Sequence, residues 1–428
     1  MQGVNRRQAS LALLASLASC AELPPEGDPA PAGFRVPGEF EPVRAVWLSY
    51  DAGHEDLTAG LVAALQPHVA LKLLVADAAA AEHALTRLRA RGLSLQGIET
   101  LQHPLASFFV RDLALFSAGP GPAGQRALGV VDFRWTNYGA PAWCARRHAQ
   151  DAAEAARCAA ATDLSREALD VAIAQLAGAR VQRSRVAIEG GGVELNGQGL
   201  LLANEELYRT RNPGRTLAEV ERGLLRLPGV RQVLWLPGGL AEDVHLRATI
   251  TGNFVAWGSG GHSDEFVRFA DAGTVLLAWP DDADVAAHPV ARLTRARMQR
   301  CFAVLSTAGL RVLRVPMPRL IERRVVMSAS ADTAWSEGWT ADFFPPTEGR
   351  RQGQPLQQIA TASYLNFVLA NGVVVLPDYL PHGTPRARQE QVRRLFAEVF
   401  PGRQVVFVNA ITANWVGGGL HCATLTQP

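Results

Sequence analysis

The sequence predicts a mixed α/β protein built from five similar helix–strand units that close on one another in a pseudo-symmetric arrangement. Three observations lead there. A helix-spaced segment, a turn of two to four residues and a β-rich run recur five times along the chain. Each helical segment carries one apolar stripe, so a lone unit leaves apolar surface wet and needs neighbours to cover it. The competing fold, an open doubly wound sheet, calls for a glycine fingerprint after its first strand. The one literal G-x-G-x-x-G, Gly119 to Gly124, has Pro120 and Pro122 where amide donors are required.

The elements follow in chain order. Residues 5 to 20, Asn-Arg-Arg-Gln-Ala-Ser-Leu-Ala-Leu-Leu-Ala-Ser-Leu-Ala-Ser-Cys, combine a positive start, a short apolar stretch and a small-residue cleavage region, which reads as an export signal over 1–20. The apolar part is too short for a permanent membrane span. Leu17-Ala18-Ser19-Cys20 resembles a lipobox, making Cys20 the expected lipidated N-terminus of a periplasmic or outer-membrane lipoprotein, and Arg6-Arg7 leaves twin-arginine export open beside the general route. Four prolines in the next thirteen residues predict an extended tether over 21–33, with the folded domain at 34–428. The five helix-to-strand units are 79–91 into 93–101, 165–177 into 180–188, 216–227 into 230–236, 290–308 into 310–315, and 385–399 into 403–409. Spacing supports them: Leu217, Val220, Leu224 and Leu225 share one helix face, as do Val392, Leu395, Phe396 and Val399. Further strands are expected at 44–50, 127–133, 199–203, 274–279 and 372–377.

Composition narrows the function. With 48% hydrophobic and 19% charged residues in 428, the chain can bury a core and is not disordered. The 42 basic residues nearly balance the 40 acidic ones and form no block, so nucleic acid is not an expected partner. Lys72 is the only lysine and sits in an apolar run without a glycine loop, which removes P-loop chemistry and argues against a Schiff base. His-Glu-x-x-His, paired C-x-x-C and G-x-S-x-G are all missing, which removes the usual signals of zincins, zinc ribbons and α/β-hydrolases. No metal or organic cofactor is expected.

What remains is a thiol, an imidazole and carboxylates in glycine-rich loops. Trp415-Val-Gly-Gly-Gly-Leu-His-Cys422 places Cys422 after glycines, among them Gly418 and Gly419, that allow close backbone approach to a ligand. A small buried cysteine fits the same residues. Gly258-Ser-Gly-Gly-His-Ser-Asp-Glu265 sets His262 two residues before Asp264; in an extended segment both face one way, as an acid/base beside a binding carboxylate would, and a solvated turn is equally compatible. Asp112 and Glu189 each end an apolar stretch, where Asp112 could pair with Arg111 and Glu189 could cap a turn. Cys144 and Cys158 flank a helix-compatible segment and could close a disulfide in an oxidising compartment or stay as buried thiols.

Taken together, these residues resemble the agmatine deiminase and bacterial peptidylarginine deiminase family, whose members have the five-bladed α/β propeller known as the pentein fold. The resemblance runs from Val36 to the C-terminus. Its most specific pieces are Glu189-Gly-Gly-Gly-Val-Glu-Leu-Asn-Gly-Gln-Gly199, Ala362-Ser-Tyr-Leu-Asn-Phe-Val-Leu-Ala-Asn-Gly372 and Gly417-Gly-Gly-Leu-His-Cys422. It implies Cys422 as nucleophile, His262 as acid/base, Asp112 and Asp264 as carboxylates holding a guanidinium, and Glu189 as the acid near the histidine. Two places depart from the agmatine branch. Ser259-Gly260-Gly261 replaces the usual Thr-Asp-Gly, after extra length between Leu240 and Gly258, and His262-Ser-Asp-Glu-Phe266 looks more like animal-type peptidylarginine deiminases.

The chemistry fits that resemblance. A guanidinium is planar and permanently charged, so a site holds it by paired hydrogen bonds to carboxylates and attacks its carbon with a thiolate. The expected reaction is guanidine hydrolysis to a ureido product and ammonia, with agmatine ahead of peptidyl arginine as substrate. Amidino transfer and a non-catalytic exported binding propeller are the other readings. The only membrane contact expected is the N-terminal lipid; oligomeric state is not legible.

Overall fold

The computed structural model describes residues 28–329 and 338–428. The export segment, Cys20 and most of the tether lie outside the described residues. The last tether residues already belong to the domain. The Asp28 amide donates to the Arg183 carbonyl at 2.9 Å, and the Arg183 amide donates to the Asp28 carboxylate at 3.1 Å. The folded part therefore starts before Phe34.

The fold is mixed α/β, with several small sheets. Five of them share one motif: an outer strand pairs antiparallel with a middle strand, which pairs parallel with a third. In chain order of their middle strands these are Thr424–Gln427 with Ala45–Ser49 and Ala70–Val75, Leu115–Pro120 with Arg126–Arg134 and Arg180–Ala187, and Glu194–Leu195 with Leu200–Asn204 and Gln232–Leu236. The last two are Val267–Phe269 with Thr274–Trp279 and Arg311–Pro316, and Val368–Ala370 with Val373–Pro377 and Gln404–Val408. Parallel neighbours cannot be joined by a tight turn, so each middle strand reaches its partner through a helical crossover. The crossovers include Glu55–Leu65, Leu169–Ala177, Leu217–Leu224, Pro289–Thr307 and Arg386–Val399. Thr216 starts one of them with a reciprocal capping box to Glu219. Strands Ala45–Ser49 and Val373–Pro377 are buried along their whole length, as expected where both faces are covered.

The first unit differs from expectation. Its crossover is Glu55–Leu65 into Ala70–Val75, and the predicted pair is an addition, helix Ala78–Ala90 leading to a fourth strand, Ile98–Gln102. Seven of the eleven residues of Glu55–Leu65 are buried, so its apolar positions spread beyond a single readable stripe. The segment expected as a helix from 165 opens with a 3-10 turn, Ser165–Ala168, before Leu169–Ala177.

Two insertions lie outside the repeat. The extra length before His262 forms a hairpin, His245–Thr251 and Phe254–Ser259, whose second strand pairs parallel with Pro355–Ile359, itself antiparallel to Glu322–Val326. A small core of Val255, Met327, Trp339, Phe344 and Leu356 supports this sheet. The other insertion is a pair of helices, Ala140–Arg147 and Ala152–Ala160, joined by a disulfide between Cys144 and Cys158 with Cα atoms 5.7 Å apart. Cys301 is a core thiol. It donates to the Gly238 carbonyl, and burial pushes it up to about 12.

Candidate active site

In all five units the chain just before the outer strand turns inward, and these turns meet. Asp112 lies three residues before its strand at Leu115, Gly191 three before Glu194, Asp264 three before Val267, Asn366 two before Val368 and Cys422 two before Thr424. Repetition of one local geometry brings residues from five distant stretches to one place.

Glu189 and His262 are in direct contact, with Glu189 Oε2 3.1 Å from His262 Nε2. Arg211 donates through Nε to both Glu189 oxygens at 2.9 Å and through Nη2 to the Ser259 carbonyl at 2.6 Å, so it ties the acid to the histidine loop. On its other side His262 Nδ1 is 3.7 Å from Asp112 Oδ1. Asp112 also accepts from the Tyr138 hydroxyl at 2.9 Å and from the Gly191 amide at 3.4 Å. Arg111 is not its partner; that guanidinium binds Glu39. A methyl group on Gly191 would sit 2.5 Å from His262 Nδ1 and 3.1 Å from both Asp112 Oδ1 and Asp264 Oδ2, so only glycine leaves the centre open.

The histidine loop is held from below by Asp243. Its carboxylate accepts the backbone N–H groups of Ser259, Gly260, Gly261 and His262 at 2.5 to 3.2 Å. Gly260 and Gly261 have φ of 94° and 99°, which a side chain would oppose. The segment after His262 is not extended, as the sequence suggested. Ser263–Phe266 forms one helical turn, which brings the consecutive buried side chains of Asp264 and Glu265 both within reach of Cys422.

Asp264 Oδ2 is 2.7 Å from His421 Nδ1, and His421 Nε2 is 2.7 Å from Glu39, which also pairs with Arg111 and Arg268. This chain fixes one oxygen of Asp264. The other, Oδ1, is buried without a protein hydrogen bond, as is Glu265 Oε2. Buried acceptors left open in this way suit the N–H groups of a bound cation. Cys422 Sγ lies 3.5 Å from Asp264 Oδ2 and 3.9 Å from Glu265 Oε1, and it accepts from Asn366 Nδ2 at 3.1 Å.

The charge states follow from this crowding. Burial, with Glu189 and Asp264 nearby, pushes Asp112 up to about 6. Burial opposes the charge on His262, yet Asp112 and Glu189 outweigh it and raise the imidazole to about 9. Burial likewise opposes ionisation of Glu189, but Arg211 and His262 hold it down at about 2. Asp264 stays below the usual carboxylate range against its burial because of His421. Burial and the carboxylates of Asp264 and Glu265 push the Cys422 thiol well above its ordinary value.

Above these groups a crevice of about 20 Å³ is bordered by Phe109, Tyr138, Trp257 and Gly418 and reaches Asp112 and Cys422. Gly418 is confined by the Phe109 ring, where a Cβ would approach to 2.3 Å. Gly419 packs against Asn366, where a Cβ would come within 2.4 Å of the amide oxygen. The structure thus brings together Cys422, His262, Asp264, Asp112 and Glu189, with Gly418 at the edge and Gly419 behind. Asn366, Asp243, Arg211, His421 and Glu39 complete the site and were not singled out from sequence. Asn366 and His421 lie within the long motifs, so position inside those motifs was the available signal.

The profile of the Porphyromonas-type peptidyl-arginine deiminase family matches residues 35–428. A Streptomyces avermitilis protein assigned as an agmatine deiminase is 28% identical, over 94% of this chain and 99% of its own. The agmatine deiminase of Stutzerimonas stutzeri is 31% identical, over 58% of this chain and 59% of its own. Among solved structures, Enterococcus faecalis agmatine deiminase shares the fold with a TM-score of 0.64 at 22% identity, covering 92% of this chain and 96% of that one. A substrate-bound Cys-to-Ser variant of C. jejuni agmatine deiminase gives 0.63 at 15% identity, with the same coverage.

Proposed function

Because the chain belongs to the Porphyromonas-type peptidyl-arginine deiminase family, we propose that its site converts an agmatine-like guanidinium to a ureido product and ammonia. The chain is a guanidino-group deiminase, a hydrolase of C–N bonds. The observation that carries the reading is a buried thiol 3.5 Å from a carboxylate whose second oxygen is open, with a second carboxylate and an imidazole across the same centre. The five repeated units, each sending one turn inward, support a closed five-bladed propeller.

In this mechanism Asp112 and Asp264 accept the substrate's N–H groups and place its central carbon over Cys422. The bound cation offsets the carboxylates that hold the thiol neutral, so the thiol loses its proton to solvent through the crevice only when substrate is present. Asn366 stabilises it by donating to Sγ. The sulfur attacks the carbon, and the resulting tetrahedral adduct expels ammonia as His262 gives its proton to the leaving nitrogen. The neutral imidazole then takes a proton from water, the hydroxide attacks the thiouronium carbon, and the thiolate departs with its electron pair and takes up the adduct's hydroxyl proton, leaving the ureido product and the neutral thiol. Glu189, held ionised by Arg211, keeps His262 oriented and favours its charged form.

The pH profile tests these assignments. Asp112 must be ionised to hold the cation, and it ionises as pH rises through about 6; His262 must be protonated, and it loses its proton as pH rises through about 9. Ammonia release from agmatine should therefore give kcat/KM that rises near pH 6 and falls near pH 9. A rate without the acid limb would remove Asp112 from the binding role.

We also infer export with an N-terminal lipid, from residues 5–20; the Cys144–Cys158 bridge supports an oxidising compartment. Cys20→Ser should move the protein from the membrane to the soluble fraction without changing ammonia release. Continued membrane attachment with an intact N-terminus would reject the lipid.

A further inference from the structure

Asp112 is held on one side by a segment that the five-unit repeat does not supply. Asn137, Tyr138 and Gly139 have φ of 47°, 57° and 72°, three left-handed residues in a row, whereas L-residues visit that region singly. Such a conformation persists only where its surroundings over-determine it.

Those surroundings are specific. The Gly139 amide donates to Thr136 Oγ1 at 3.1 Å, and the Tyr138 ring meets Trp135 edge to face with centres 5.1 Å apart. The Tyr138 carbonyl lies 2.6 Å from His245 Nε2. Burial, with Arg211 and Arg146 nearby, holds His245 well below the ordinary imidazole range, so the ring is neutral and its Nε2–H donates to that carbonyl. A methyl group on Gly139 would come within 3.0 Å of the Thr210 carbonyl and 3.1 Å of His245 Nε2. Gly139 leads into helix Ala140–Arg147 and His245 opens the hairpin. The two insertions, which also line a cavity of about 250 Å³ beside the crevice, therefore meet at the Tyr138 backbone.

This backbone delivers a hydroxyl to the reaction centre. Tyr138 borders the crevice and donates to Asp112 Oδ2 at 2.9 Å, the shortest polar contact of that carboxylate among the described residues. The Gly191 amide and His262 Nδ1 face the other oxygen, Oδ1, at 3.4 and 3.7 Å. Burial and the Asp112 charge push the phenol well above its ordinary value, so it stays protonated and remains a donor. Its donation favours ionised Asp112, as does His262, while burial, Glu189 and Asp264 oppose that charge. Glu265, from the helical turn after His262, and Cys422, from the C-terminal turn, are the other titratable groups near Asp112 among the described residues.

We propose that Tyr138 is a positioning residue for the deiminase reaction, its hydroxyl fixing Asp112 through Oδ2 so that Oδ1 is presented to the guanidinium. The proposal rests on the deiminase reading of the crevice and adds to it a residue that acts through Asp112.

Ammonia release from agmatine by the full chain would be followed from pH 5 to pH 9 for wild type, Tyr138→Phe and Tyr138→Leu, with a thermal melt of each. All other groups around Asp112 are common to the three proteins, so the differences report the loss of the hydroxyl. Without it Asp112 ionises at higher pH, and the acid limb of kcat/KM should move up by about one pH unit in both variants. The ratio of wild-type to variant kcat/KM should then be about tenfold larger at pH 5 than at pH 8. A ratio independent of pH, with or without a lowered melting temperature, would make Tyr138 a structural residue and overturn the proposal while the deiminase reading stands. Loss of a cooperative melt in both variants would do the same. Wild-type turnover without an acid limb would also overturn it, because Asp112 would then not limit binding. Absence of ammonia from the wild type would instead overturn the deiminase reading, and the positioning role with it.

Discussion

Cys422→Ala should lower ammonia release by roughly 10⁴-fold or more, since it removes the atom proposed to form the covalent bond with the substrate. Water alone is a poor nucleophile toward a delocalised cation, and the hydrogen-bond partners of Sγ among the described residues are the Asp264 and Glu265 carboxyl groups and the Asn366 amide. The thiol is buried with Ala423 and Leu420 alongside, and replacing SH by hydrogen creates little cavity, so the variant should keep its fold. Mass analysis of wild-type protein quenched during turnover should show a substrate-derived adduct, and the variant should show none. Activity within about tenfold of wild type would exclude attack by this sulfur.

Asp264→Asn should lower kcat/KM by about 30-fold to several thousand-fold, the equivalent of roughly 2 to 5 kcal/mol for breaking a buried hydrogen-bonded charge pair. Two losses combine. The open Oδ1 acceptor for the guanidinium becomes half of a neutral amide, and His421 loses the carboxylate at 2.7 Å that connects it to Glu39. The effect should be larger in kcat/KM than a simple affinity change, because the substrate cation also promotes the thiolate. A change below about threefold would show that the guanidinium is held elsewhere.

Much of the fold was legible because its signals are local. The strand at 274–279 and the helices near 290–308 and 385–399 follow from apolar period and β-rich runs, and the structure places them within one residue of those bounds. Glu55–Leu65 was not legible, since a helix buried on most of its surface has no single stripe. The hairpin before His262 showed only as extra length; its first strand, His245–Thr251, is half-buried at most positions and lacks a clear alternation of apolar and polar residues. The candidate site was legible at Cys422, His262, Asp112, Asp264 and Glu189 because a thiol, an imidazole and acids in glycine loops carry chemistry by their identity. Asp243, Arg211 and Glu39 act only through partners far along the chain, such as His421 and Glu39, which are 382 positions apart, and nothing local marks them.

The sequence by itself determined the repeated helix–strand units and, through long motifs that resemble a deiminase family, the guanidine chemistry and the candidate site residues, since period and motif are properties of short stretches. Only the tertiary structure decided that burial beside other acids pushes Asp112 up, that Asp112 and Glu189 raise His262, that Arg211 and His262 hold Glu189 down, and that two insertions form one cavity beside the crevice. Those properties depend on how close charges and walls from different units come once water is excluded, and in a low-dielectric interior the separation between charges sets which of them survives.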